Sequence, residues 1–226
     1  MSKGRERGID GDQYPQGQPS ESWLWDRPEG TPQATLILAH GAGAPMDSDF
    51  MQQMAQRLCA QGVAVVRFEF AYMAARRADG KKRPPNPQTQ LLERWREVYR
   101  RVRQLVDGPV LIGGKSMGGR MASLLADELS PDALVCLGYP FYAVGKPDKP
   151  RIEHLAQLKT RTLIIQGERD ALGDRSTVSA YPLSGSITLH WLAAADHDLN
   201  PLKRSGFTHD QHLDSAAECI ASFIRA

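Results

Sequence analysis

The sequence lacks the features that define several large classes of protein. No apolar run approaches the roughly 18 residues that a membrane-spanning helix needs. The polar start of the chain has no apolar stretch that could form the core of a signal peptide, so we expect a soluble, cytoplasmic protein that does not associate with membranes. No internal repeat is visible, which argues against a repeat architecture.

Excess charge and paired cysteines are also missing. A net charge of +2 gives no reason to expect a nucleic-acid partner. The 3 cysteines, Cys59, Cys136 and Cys219, are widely spaced in apolar segments, and we interpret them as reduced core residues. No motif calls for a metal or another cofactor, and we expect none.

The overall composition is that of an ordinary globular protein. The chain has 226 residues, of which 41% are hydrophobic and 24% are charged, enough for a sizeable core. We expect a flexible polar tail over residues 1–20 and a single domain over residues 21–226.

Apolar runs of strand length alternate with segments of helical periodicity. This alternation predicts an α/β fold: a mostly parallel, doubly wound sheet of about six or seven strands with helices on both faces. Ligands bind such sheets at the carboxyl ends of the strands. Strands are predicted over 22–26, 35–39, 63–70, 110–113, 133–138, 162–166 and 187–192, and helices over 47–61, 89–106, 117–129, 152–158, 174–180 and 209–224.

The sharpest motif is Gly114-Lys-Ser116-Met-Gly118, placed between a predicted strand and a predicted helix. This G-x-S-x-G pattern in that setting is typical of a nucleophile elbow, a tight turn that exposes a reactive serine. Two other interpretations are open. Ser116 could only cap the following helix. Gly-Lys-Ser also ends the phosphate-binding P-loop motif, but that motif requires glycine where Pro109 stands.

A serine nucleophile needs a base to take its proton and an acid to hold the base. Asp170 and His197 each follow a predicted strand, in the order Ser, Asp, His. Glu168 is an alternative acid. Asp196 and Asp198 flank the histidine, and we expect them to point away or to order its loop.

The glycine-rich turn His40-Gly41-Ala42-Gly43 follows the first strong strand. A turn at this place supplies half of an oxyanion hole, whose second half comes from the residue after the nucleophile. We therefore predict that the backbone amides of Ala42 and Met117 form the oxyanion hole. A plain tight turn remains the alternative.

These motifs together resemble the α/β-hydrolase superfamily over about residues 22–226. The segment Gly113-Gly-Lys-Ser-Met-Gly-Gly-Arg120 and the turn His40–Gly43 carry the resemblance, which is nearest to the compact dienelactone-hydrolase-like and testis-expressed hydrolase-like branch. The resemblance implies a triad of Ser116, Asp170 and His197 and an ester-type or thioester-type substrate. Some members of this branch work mainly as interaction modules.

Too few residues separate the strands near 139 and 162 for a multi-helix cap, so we expect a minimal α/β-hydrolase fold with an open site. Basic residues crowd the loops after the strands, and they could steer an anionic substrate, although ordinary solvated loops would look the same. Candidate substrate contacts are His40, Gly41, Arg76, Lys81 and Tyr139. The histidines at 154, 209 and 212 are expected in solvated positions, and the one at 190 within a strand.

Two hypotheses of function follow. In the first, the chain is a serine hydrolase that cleaves a carboxylic ester, thioester or lactone of a small molecule through an acyl-enzyme on Ser116. In the second, it is a non-catalytic interaction module that keeps the fold.

Overall fold

The structure is a computed structural model that describes residues 23–226. The tail predicted over residues 1–20 and the first residue of the predicted edge strand at 22–26 lie outside the described residues. From residue 23 onward, no helix is both long and apolar enough to cross a membrane.

Seven strands form one sheet in the order β1-β3-β2-β4-β5-β6-β7. Strand β1 pairs antiparallel with β3 at one edge, and all other neighbours are parallel. The predicted mostly parallel sheet of an α/β fold is therefore confirmed. The strands are β1 (Leu24–Asp26), β2 (Ala34–Ala39), β3 (Val63–Phe68), β4 (Val110–Lys115), β5 (Ala133–Leu137), β6 (Thr162–Gly167) and β7 (Ile187–Leu192).

Helices cover both faces of the sheet because its strands are apolar on both sides. Every residue of the five strands from β2 to β6 is buried. One core lies between the sheet and the first and last helices, and a second lies against the third and fourth. The helices are α1 (Asp49–Ala60), α2 (Ala71–Asp79), α3 (Gln88–Leu105), α4 (Met117–Ser123), α5 (Ala126–Leu129), α6 (Arg175–Val178) and α7 (His209–Arg225).

No cap domain covers the carboxyl edge of the sheet within the described part of the chain. Between β5 and β6 the regular structure is one 3-10 turn, Leu155–Gln157. The helix predicted over 152–158 is therefore reduced to that turn. The expectation of a fold without a cap is confirmed.

Other helices also differ from the prediction. The helix predicted over 174–180 is shorter, at Arg175–Val178. The segment 71–88, between a predicted strand and a predicted helix, begins with α2, whose first turn is held by Asn86: its Oδ1 accepts a hydrogen bond from Tyr72 N at 2.8 Å. The helix expected over 117–129 is broken after Ser123, whose hydroxyl donates to Arg120 O at 2.8 Å. Serine hydroxyls that bond back to the preceding turn often bend helices.

All three cysteines are free thiols. Cys136 is buried as expected, but Cys59 and Cys219 are only half-buried, so they are not full core residues. Burial raises the pKa of the Cys59 thiol to about 11, which leaves it protonated and unreactive at neutral pH.

Candidate active site

Ser116 stands at the turn between β4 and α4. Its φ of 51° and ψ of −117° lie outside the regions that a non-glycine residue ordinarily occupies. Its side chain makes no capping hydrogen bond to α4, although it occupies the N-cap position. The hydroxyl is therefore free to face another partner at the carboxyl edge of the sheet, and a role as a simple helix cap is not supported.

The turn is tight because glycines allow backbone to pass against backbone. A Cβ atom added to Gly118 would lie 2.6 Å from the carbonyl oxygens of both Ala39 and His40. One added to Gly114 would lie 2.6 Å from Ala39 O. Neither position has room for a side chain, so these two glycines of the motif are required by the approach of β2 to α4.

The structure brings Ser116, His197 and Asp170 together. The Ser116 Oγ atom lies 2.8 Å from Nε2 of His197. On the other side of the ring, Nδ1 lies 2.7 Å from Oδ2 of Asp170. A carboxylate beside Nδ1 fixes the tautomer in which Nδ1 donates to the acid and Nε2 accepts from the serine hydroxyl.

Asp170 is fully buried, and its carboxylate is held by several donors. Its Oδ1 accepts from Leu172 N at 2.8 Å, and its Oδ2 accepts from Gln166 Nε2 at 2.8 Å. Gln166, also fully buried, accepts from Tyr139 N at 2.7 Å and donates to Gly173 O at 3.1 Å. These bonds offset the cost of burying a carboxylate and fix its orientation.

Gln166 is not among the predicted site residues. The one signal in the sequence is that a polar side chain stands near the end of an otherwise apolar strand, at the edge where ligands bind such sheets. That signal alone does not separate a support for the acid from a solvated strand end.

The alternative acid, Glu168, and the carboxylate of Asp196 have other partners. Glu168 accepts from Ala194 N at 3.0 Å and from Arg175 at 2.6 Å, and these bonds lower the pKa of its carboxyl group. Asp196 accepts from the backbone amides of Asp198 and Asn200, both at 3.0 Å, and so orders the histidine loop.

The two predicted oxyanion amides belong to the loop after β2 and to the first turn of α4. Met117 is the first residue of α4, where helix geometry leaves the amide without an intrahelical acceptor. The Tyr72 hydroxyl donates to Ala42 O at 3.0 Å and holds that loop. Gly41 lies against the serine, since a Cβ added to it would be 3.7 Å from Ser116 Cβ.

Comparison with known proteins agrees with this fold. A family model described as "Alpha/beta hydrolase domain" matches residues 32–225. The chain belongs to the α/β-hydrolase family. Membership of this family supports hydrolase activity.

Three solved structures illustrate the likeness. A serine hydrolase homologue from Coxiella burnetii has a TM-score of 0.68 and 19% identity, over 88% of this chain and 89% of that chain. A serine hydrolase without lid from Xanthomonas campestris has a TM-score of 0.64 and 20% identity, over 90% and 87%. A dienelactone hydrolase from Anabaena variabilis has a TM-score of 0.66 and 19% identity, over 90% of each chain.

In this α/β-hydrolase the side chains of His40 and Tyr139 point inward, so their predicted substrate contacts need correction. Both side chains are fully buried. The His40 ring donates from Nδ1 to Gly41 O at 2.7 Å and accepts at Nε2 from Phe70 N at 3.2 Å. Burial lowers the pKa of His40, which favours this neutral form. His40 therefore supports the loop at residues 40–43 from behind.

The basic loops of the hydrolase are partly neutralised by internal ion pairs. Arg77 lies 2.7 Å from both Asp47 and Glu69. Arg76 differs, because its one hydrogen bond is a long 3.4 Å contact to Gly43 O and it has no ion pair within residues 23–226. Its guanidinium group thus lies beside the loop at residues 40–43. Lys81 is exposed, and its backbone amide donates to Asp79.

Two of the other histidines are less solvated than expected. His212 is buried, and its Nδ1 donates to Leu199 O at 3.1 Å. His154 is half-buried, with Nε2 2.8 Å from Ser123 Oγ. Their partners Ser123 and Leu199 lie 31 and 13 residues away in the chain, and local periodicity does not reveal such contacts.

Proposed function

We propose that this α/β-hydrolase is a serine hydrolase that cleaves a carboxylic ester, thioester or lactone of a small substrate through an acyl-enzyme on Ser116. The observation that carries the proposal is the Ser116–His197–Asp170 chain of hydrogen bonds, at 2.8 and 2.7 Å. A hydroxyl, an imidazole and a buried carboxylate in this order activate the serine for attack on an acyl carbonyl.

The reaction then has two halves. Ser116 Oγ attacks the acyl carbon while His197 Nε2 takes its proton, and the imidazolium formed is stabilised by Asp170. The same proton passes to the leaving alcohol or thiol as its bond to the acyl carbon breaks. Water, deprotonated by His197, attacks the acyl-enzyme and releases the acid and the free serine.

The amides of Ala42 and Met117 are proposed to stabilise the negative charge on the attacked carbonyl oxygen. Removing one oxyanion donor typically costs about 2.7–4 kcal/mol of transition-state stabilisation. Because both donors are backbone groups, their positions depend on the side chains that hold the loop from behind. Those supports are the His40 ring and the Tyr72 hydroxyl, at 2.7 Å from Gly41 O and 3.0 Å from Ala42 O.

Fluorophosphonate labelling tests the nucleophile. We expect labelling of the folded wild type and none of Ser116→Ala. Ser123→Ala is the matched control, since Ser123 also lies 2.8 Å from a histidine nitrogen but is 2% exposed. Folded wild-type protein that takes no label would instead favour the interaction module.

The open edge and Arg76 suggest that the substrate is small and anionic. A guanidinium group beside the loop at residues 40–43 would attract a carboxylate or phosphate of the substrate. We expect Arg76→Gln to lower kcat/KM by about tenfold for an anionic ester and about twofold or less for a neutral ester of the same length. Arg225→Gln, at the far end of α7, is the charge-matched control. Equal losses for both esters would refute the anion preference.

A further inference from the structure

A buried lysine lies directly before the nucleophile, and the proposed chemistry does not use it. Lys115 is the last residue of β4 and only 7% exposed. Its Nζ atom donates to the backbone oxygen of His197 at 2.7 Å and lies 3.1 Å from Oδ1 of Asp198. The ammonium group also lies 5.5 Å from the centre of the Phe50 ring.

The lysine side chain links two loops whose relative position sets the distance between Ser116 and His197. One is the turn that carries Ser116, and the other is the loop that carries His197. Gly138, at the end of β5, leaves the space for this link: a Cβ there would lie 2.7 Å from His197 O and 3.2 Å from Lys115 Nζ. The position of His197 over Ser116 thus depends on a side chain one residue from the nucleophile.

Stability alone does not explain a lysine at this position. Burial lowers the pKa of Lys115, although Asp198 opposes this change, so the charged side chain costs folding free energy below its normal pKa. An apolar side chain of the same length would avoid that cost. Departures of this kind from good packing are typical of functional sites.

Charged groups face the imidazole from several elements. Asp170 faces His197 from the loop after β6 at 2.7 Å, and Asp196 and Asp198 flank it on its own loop. His209 on α7 lies 3.0 Å from Asp198 O. Lys115 supplies the opposite charge from β4, so we expect that removing it makes protonation of the ring easier.

We propose that Lys115 is a positioning residue, which fixes the His197 loop over Ser116 and places a positive charge beside that loop. The proposal rests on the proposed hydrolase function only for its kinetic consequence. The effect of Lys115 on His197 can be measured in the protein without substrate.

The test compares Lys115→Met, which keeps the length of the side chain, with Lys115→Gln, which keeps a donor without the charge. We expect Lys115→Met to lower kcat/KM by about 10- to 100-fold for every ester, with Tm unchanged or raised. Lys115→Gln should lose less. In both variants the acidic limb of the pH profile of kcat/KM should shift to higher pH by about half to one unit.

Asp198→Asn is the matched charge control. It removes a negative charge near the same ring and should shift the acidic limb to lower pH. In the double variant with Lys115→Met, the acidic limb should lie close to that of the wild type. Opposite shifts of this kind do not arise from general destabilisation. A fall in activity that only follows a fall in Tm, with no movement of the acidic limb, would overturn the proposal.

A second readout does not need activity. The titration of the His197 imidazole, followed by NMR on histidine-labelled protein and assigned with His197→Gln, should have a higher midpoint in Lys115→Met. If the wild type hydrolyses nothing but the midpoint rises, the hydrolase proposal fails and the role of Lys115 stands. If the wild type is active and the midpoint does not change, the role of Lys115 fails.

Discussion

Two serine–histidine pairs in this protein have the same spacing but different surroundings. Ser116 and Ser123 both lie 2.8 Å from a histidine Nε2 atom, His197 and His154 respectively. Ser116 lies at a strained turn between a strand and a helix, whereas Ser123 is inside α4 and 2% exposed. The exposure of Ser116 at a turn therefore already distinguishes it from Ser123, whatever their hydrogen-bond partners are.

The direction of the hydrogen bonds separates them further. The Ser123 hydroxyl donates to Arg120 O at 2.8 Å, so it accepts from the His154 ring, which then has no lone pair aimed at the serine. No ion pair involves His154 within residues 23–226, and burial together with the Arg120 charge lowers its pKa to about 4. The acid on the far nitrogen, more than the serine–histidine distance, determines which pair can react.

The largest expected effect comes from removing either member of the first pair. Ser116→Ala or His197→Ala should lower kcat for a simple ester by about 10⁴-fold or more, because the nucleophile or its base is lost. Ser123→Ala and His154→Asn should change kcat by about threefold or less. Steady-state assays on folded variants check this, and equal losses at both pairs would contradict the distinction.

The acid is the next test of the comparison. Asp170→Asn should lower kcat by about 10³- to 10⁴-fold, since the amide no longer selects the tautomer in which Nε2 accepts a proton. Glu168→Gln serves as the control, because that carboxylate bonds to Arg175 and Ala194 instead. Comparable losses of kcat in the two variants would mean that the assignment of Asp170 as the acid is wrong.

The support beneath the acid should have a smaller effect. Gln166→Ala removes the Nε2 donor to Asp170 and leaves Tyr139 N without its acceptor. We expect kcat to fall by about tenfold and the free energy of unfolding to fall by about 1–3 kcal/mol. Gln104→Ala, at an exposed position of α3, should change neither quantity. Kinetics and urea unfolding of both variants measure the two effects, and an unchanged kcat would remove Gln166 from the site.

The glycines of the elbow provide a test of packing. Gly118→Ala places a methyl group 2.6 Å from two backbone oxygens and should reduce the free energy of unfolding by about 2–3 kcal/mol. Gly43→Ala adds the same group where no atom lies within 4 Å, so it should cost much less. Thermal unfolding compares the two. Similar melting temperatures would mean that the elbow can widen.

The pH dependence of stability tests the second pair. The pKa of His154 is lowered from 6.5 to about 4, so the unfolded chain binds a proton in this range that the folded protein does not. Stability should therefore fall as pH drops from 6.5 towards 4, by up to about 1 kcal/mol per pH unit. In His154→Asn this slope should be shallower, and an identical slope in urea unfolding would contradict the buried neutral ring. The lowered pKa of His40 acts in the same direction.

Much of the fold and the three central residues were within reach of the sequence. The strands are continuous apolar runs, and their length distinguishes them from the helices between them. Ser116, Asp170 and His197 each follow such a strand, and parallel strands bring their carboxyl ends to one edge. The local pattern was therefore enough to place three side chains that are far apart in the chain.

The supporting residues were out of reach because their roles depend on distant contacts. Lys115 stands within the G-x-S-x-G motif and Gln166 at the end of a predicted strand. Nothing local shows that the first bonds to the histidine loop and the second to the acid. The burial of His40 comes from packing against Phe70, which lies between β3 and α2, and against Tyr72 in the first turn of α2. The start of α2 depends on Asn86, 14 residues further along the chain.

One mapping experiment tests the nucleophile most directly. Trypsin cleaves after Lys115 and Arg120, so Ser116 is the only serine in the peptide 116–120, while Ser123 lies in the next peptide. After reaction of the native protein with a fluorophosphonate, mass spectrometry should find one adduct per chain, on the peptide 116–120. An adduct on the peptide that contains Ser123, or none on folded protein, would contradict the assignment of Ser116 as the nucleophile.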